Sequence, residues 1–167
     1  MDKKARLILK RAIKLLDEHF GSVKQQFSYR KETEQLSRDD TSSLEQHIST
    51  AVLLVNLQTV TVQTVCLTPS LMRKGWRFWE KPLLTEYERK AVNTAFLNFL
   101  KFTKTGITQA EALKQKSDKS SKEDMYASLL HLSSLLDMLR ANAQQLSADL
   151  KQILESAEVE EKHENPI

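Results

Sequence analysis

One cysteine, three glycines and three prolines stand among 167 residues. The single cysteine, Cys66, makes an intrachain disulfide impossible and excludes a metal site built from several cysteines. It fits a reducing compartment and reads as a small apolar residue between Val65 and Leu67. So little glycine and proline leaves few turn signals, which favours long uninterrupted helices over strands. The same scarcity excludes a glycine-built phosphate cradle. Apolar runs are short: the most apolar window, AVLLVNL at 51–57, falls far below the roughly 18 residues of a membrane span. The opening segment has no signal-peptide core, because Lys10, Arg11, Lys14, Asp17 and Glu18 interrupt it. No two of His19, His47, His131 and His163 stand three or four apart, so no helical metal pair is expected. The pair of Glu-x-x-His motifs of a di-metal bundle is missing too. G-x-S-x-G and kinase signatures are also absent. No cofactor is expected.

What is present is periodicity. Met125, Leu129, Leu132, Leu136, Leu139, Ala143, Leu146, Leu150, Ile153 and Ala157 step by four and three without a slip. Such a repeat keeps one stripe of a helix against a partner helix. Residues 3–36 carry a matching stripe at Leu9, Ile13, Leu16, Phe20, Val23 and Phe27, with Gly21 as a point where the helix either bends or admits a close neighbour. Residues 42–67 read as a second helix with Leu44, Ile48, Ala51, Val55, Val62 and Val65 on its stripe, opened by Ser42 and Glu45 at capping-box spacing. Within it, TVTVQTV at 59–65 is rich in β-branched residues and alternates, so a strand is the competing reading there. A third helix spans 85–105, opened by Thr85 and Glu88 and stopped by Gly106. A short fourth helix follows from Thr108 to about Lys116, then a Ser/Lys-rich hinge at 117–124.

Matched helix lengths and narrow stripes predict an all-α fold. It is expected to be an antiparallel bundle of four long helices plus one short helix, packed as coiled coils are. The bundle domain covers 1–157 and a flexible acidic tail, expected to fray, covers 158–167. The number of amphipathic helices favours a monomer over a homodimer.

The net charge of +3 is unevenly spread. Residues 1–38 hold ten bases against five acids, whereas residues 125–167 hold three bases against seven acids. The plainest reading is first and last helices packed side by side. Lys3, Arg6, Lys10 and Lys14 share one helical face, either solvated or a secondary contact patch for an anionic partner.

Both tryptophans fall in one stretch, Met72, Arg73, Lys74, Gly75, Trp76, Arg77, Phe78, Trp79, Glu80 and Lys81. This lies in a connection between Pro69 and Pro82 that is long for a bundle. Its aromatics either cap the bundle, anchor a protein partner in the way Trp and Arg do at hot spots, or dock on an anionic, phosphoinositide-type membrane surface. Nucleic-acid stacking is disfavoured: the pI of 8.9 is modest and no recognition motif is visible.

Glu155, Glu158, Glu160, Glu161 and Glu164 crowd the last thirteen residues. This end resembles the glutamate-rich "E-block" export signal of effectors delivered by the Dot/Icm type IV secretion system of intracellular bacteria. The resemblance covers the tail alone and implies action inside a host cell; otherwise the protein is expected in the cytoplasm.

Without a catalytic constellation, the expected function is a non-catalytic helical interaction module or adaptor that binds a protein partner. Met72, Arg73, Lys74, Trp76, Arg77, Phe78, Trp79 and Lys81 form its contact surface. Peripheral membrane binding through the same residues is the alternative, and a small enzyme with an unrecognised site the third.

Overall fold

A computed structural model describes residues 1–34, 49, 52–53, 56–57, 59–60, 63, 69–72, 81–117 and 122–164. For 19–34, 69–70, 114–117, 122–126, 128–129 and 133 the backbone alone is described. The described residues are predominantly helical and contain no strand. Three helices are long: α1 (Lys3–Glu34), α3 (Glu86–Ser117) and α4 (Lys122–Glu164). A single turn, α2 (Pro69–Met72), lies between α1 and α3.

Asp2 caps α1 by accepting the Lys4 N–H on Oδ1 at 2.7 Å, satisfying one of the orphan donors of the first turn. The helix then runs through Gly21 without interruption. Its buried residues are Ala5, Leu9, Ala12, Ile13 and Leu16. Leu9, Ile13 and Leu16 belong to the expected stripe, and the two alanines widen it. The Asp2 N–H donates to the Leu83 carbonyl at 3.0 Å, which ties the start of α1 to the residues that lead into α3. There Leu84 is buried, and Leu71 of α2 joins the same core.

The opening of α3 follows the expected capping box. The Glu88 N–H donates to Thr85 Oγ1 at 3.1 Å, and the Thr85 N–H donates to Glu88 Oε1 at 3.0 Å. Its end corrects the sequence reading. The helix does not stop at Gly106; the expected short helix at 108–116 is its continuation to Ser117. Thr108 opens nothing: its hydroxyl donates to the Lys104 carbonyl at 2.9 Å, as Thr105 does to Lys101. Gly106 is buried and carries no positive φ. A Cβ there would lie 2.7 Å from Leu139 Cδ2 and 3.2 Å from Cγ. The glycine admits a close neighbour instead of ending a helix. Counting it as a core position, Val92, Phe96, Phe99, Thr103, Gly106, Ala110 and Leu113 step by four and three along the whole of α3.

The long repeat of α4 is seated as expected from Leu132 to Ala157, with Leu132, Leu136, Leu139, Ala143, Leu146, Leu150 and Ala157 buried and Ile153 partly so. Leu135, Ser147 and Leu154 are buried beside it. This broader face has a cause: α4 packs against two helices. Arg6 meets Glu158 and Glu161, and Asp17 meets Ser147 and Lys151, so α1 runs antiparallel to α4. Asn142 donates to the Phe99 carbonyl at 3.0 Å and to Thr103 Oγ1 at 3.2 Å, while Leu139 covers Gly106, so α3 is antiparallel to α4 as well. The end of α4 also departs from expectation. Residues 158–164 are helical where fraying was expected, and Glu158 and Glu161 are ion-paired.

Of residues 42–67, those described are helical, including Thr59, Val60 and Gln63, which removes the strand reading at these positions. Val52 packs on the core and Thr59 is buried, while Leu53, Leu57 and Val60 are exposed. The remainder of that segment, the loop expected at 36–40, the cap at Ser42 and the middle of the hinge expected at 117–124 lie outside the described residues, while residues 117 and 122–124 of that hinge are helical, as the ends of α3 and α4.

Candidate functional site

The residues singled out from sequence separate into three groups. Met72 is half-buried beside the fully buried Leu71, and Lys81 is exposed. Arg73, Lys74, Trp76, Arg77, Phe78 and Trp79 lie outside the described residues, as do Cys66 and His47. On α1, Lys3, Lys10 and Lys14 are exposed. Arg6 leaves that face: its guanidinium donates to Glu158 Oε1 at 3.0 Å and to Glu161 Oε1 at 2.9 Å, and its side chain is only 22% exposed. The charge asymmetry between the chain's two ends is thus used, at least here, within the molecule. His131 and His163 are exposed. Among the described residues no three His, Cys, Asp or Glu side chains come together as a metal site would need.

The described surface holds two hollows of ligand size. The larger, about 520 Å³, is a furrow between the first half of α3 and the last third of α4. Small side chains make it. Ala91, Thr94 and Ala95 on α3 face Ser156 and Ala157 on α4, and none is bulky enough to fill the space between the helices. At 100° per residue, Asp149, Gln152, Ser156 and Glu160 lie on the other side of α4 from Ser147, Lys151 and Glu158, which meet α1. The furrow therefore opens away from α1. Tyr87, 76% exposed, stands at one end.

The furrow's charge is mostly acidic. Glu88, Asp149 and Glu160 line it, and the lining base Lys90 is paired with Glu86 at 3.1 Å. Gln145 donates to Asp149 Oδ1 at 2.9 Å. Glu88 differs from the other two acids because it is 5% exposed. Its Oε1 accepts the Thr85 N–H and lies 3.7 Å from the Met1 amino group. Its Oε2 is buried and has no hydrogen-bond partner among the described residues. A buried carboxylate oxygen left unsatisfied costs about 1–3 kcal/mol or more, so it marks a place where a donor is wanted.

No known protein family matches the chain, nor does any curated protein or solved structure. Any role for the site therefore has to come from its own chemistry.

The second hollow, about 430 Å³, lies between α1 and α4 near Asp17, Arg140, Gln144 and Lys151. Asp17 closes part of it by accepting from Ser147 at 2.8 Å and pairing with Lys151 at 3.3 Å. Sequence reading missed the furrow altogether. Its signal was faint: Ala157 on the repeat of α4, Ala91 and Ala95 each one place before a repeat position of α3, and a capping glutamate whose second oxygen has no role in the cap.

Proposed function

We propose that the protein is a non-catalytic helical interaction module that binds a protein partner, with Trp76 and Trp79 as anchors. Arg73, Lys74 and Arg77 steer the encounter, and Met72, Phe78 and Lys81 border the contact. The observation that supports this reading is the exposed line Leu53, Leu57 and Val60. These residues follow one another at helical spacing in the segment that precedes the tryptophans. An apolar line on a solvent-facing helix costs solubility unless something docks on it. Residues 42–67 would then complete a further long helix, and with α1, α3 and α4 make an antiparallel bundle that is monomeric. The glutamate-rich end of α4 is taken as an export signal, which places the partner inside a host cell.

The test is binding after Trp76→Ala/Trp79→Ala. Partners retained by the wild-type chain are identified, purified and titrated. Loss of two hot-spot side chains weakens binding by about 2 kcal/mol or more, roughly thirtyfold. The membrane alternative uses the same residues, and vesicles separate the two. Binding to anionic but not neutral vesicles that disappears at high salt and in the double variant replaces the protein partner with a lipid surface.

A further inference from the structure

The side of α3 and α4 that carries the furrow is apolar well beyond it. Four of the large apolar side chains that stand exposed, Tyr87, Phe102, Met138 and Val159, belong to this side, and Phe102 and Met138 are each 61% exposed. Helical geometry puts them there. Asn98, Asp149 and Gln152 line the furrow. At 100° per residue Phe102 lies about 40° round α3 from Asn98, and Met138 and Val159 lie about 20° round α4 from Asp149 and Gln152. Asn142 meets Phe99 and Thr103, so Phe102 and Met138 stand within about a turn of each other across the same crease. From Met138 to Ala157 the face runs along nineteen residues of α4, about 28 Å. Contiguous exposed apolar surface of this kind marks a place where another molecule docks.

The charge on this side says what the other molecule is. Asp149 and Glu160 line the furrow without an ion pair among the described residues, while the base that lines it, Lys90, is engaged by Glu86 at 3.1 Å. Glu88 is buried in the cap of α3 and faces the Met1 amino group, so it takes no part. We propose that this face docks a cationic amphipathic helix of a partner protein, laid along the crease between α3 and α4. Two adjacent helices offer a third helix a groove that takes one row of its side chains. Apolar residues at steps of three and four meet Phe102, Met138, Ile153 and the alanine floor. Lys or Arg beside that row meets Asp149 and Glu160. An acidic helix and an anionic lipid surface are both repelled by the same two carboxylates. A second copy of this chain is disfavoured too, because a two-fold axis brings Asp149 and Glu160 of both copies onto one shared face. This surface is separate from residues 72–81, and its test leaves those residues untouched.

The probe is a synthetic, fluorescein-labelled peptide of about nineteen residues, five turns of helix, with Leu at alternating steps of three and four and Lys beside them. Its control replaces every Lys with Glu. Binding to the full chain is followed by fluorescence anisotropy, and sedimentation of the free chain reports on self-association. The lysine peptide is expected to saturate one site and the glutamate peptide none. Phe102→Ala/Met138→Ala keeps the fold, because both side chains face solvent, and weakens binding about tenfold or more. Asp149→Asn/Glu160→Gln also weakens binding and reduces its dependence on salt. Equal binding of the two peptides, binding that survives both double variants, or a dimer of the free chain that Phe102→Ala/Met138→Ala dissolves, overturns the proposal.

Discussion

Gly106 shows how one residue sets the distance between two helices. Its missing Cβ is the space that Leu139 Cδ2 occupies. Two effects oppose each other when a methyl is added. Helix propensity gains about 1 kcal/mol on going from Gly to Ala. Overpacking costs about 1–3 kcal/mol, because Leu139 is buried and its Cγ is crowded as well as its tip. We expect Gly106→Ala to lower stability by about 1 kcal/mol in urea unfolding. Leu139→Ala removes the obstruction at a cost of about 2–5 kcal/mol. In that background the same Gly106→Ala change is expected to raise stability by about 1 kcal/mol. An effect of the same sign in both backgrounds would show that the glycine serves some other purpose. The reading of Gly106 as a helix stop failed for this reason. Glycine after an apolar stripe has two meanings, a helix end or a close approach, and only the position of Leu139 distinguishes them.

At the scale of elements, periodicity was the legible property. Leu132 through Ala157 fall on the core side because a four-three repeat keeps step with the helix, whatever covers it. The Thr85–Glu88 box was legible because both partners lie within four residues. What was not legible depends on neighbours remote in sequence. Arg6 looked like one member of a basic row, and its place beside Glu158 and Glu161 follows from the antiparallel register of α1 and α4. Likewise the end of α4 reads as a tail in isolation, since residues 158–164 have no apolar stripe. Ion pairs to Arg6 sit along it instead. This divides the five glutamates: Glu158 and Glu161 engage α1, whereas Glu155, Glu160 and Glu164 form no ion pair among the described residues. If the end is an export signal, the three without an ion pair are the ones free to turn to a receptor. Delivery of a reporter fused to the chain should then fall in the variant Glu155→Gln/Glu160→Gln/Glu164→Gln, with far-UV circular dichroism unchanged. Undiminished delivery, or no delivery by the wild-type fusion, would remove export from the account.

For the whole molecule, α4 is the shared element, antiparallel to α1 on one side and to α3 on another. Its two faces make a solid apolar centre: Phe96 and Phe99 lie 5.8 Å apart with rings tilted at 49°, and Leu9, Leu16, Leu146 and Leu150 fill in around it. A scaffold of this kind presents surfaces, and the stretch at 72–81 is the contact proposed for it. Both tryptophans of the chain lie in that stretch, so tryptophan emission, excited selectively over the three tyrosines, reports on that stretch alone. The most direct measurement is therefore the emission of the free, full-length chain and its quenching by acrylamide. Anchors held ready for a partner give the red-shifted, readily quenched emission of indoles in water, and the emission moves to the blue when the partner binds. Blue-shifted emission that acrylamide does not quench, in the free chain, would mean that Trp76 and Trp79 are packed against the helices as a cap, and it would contradict the account.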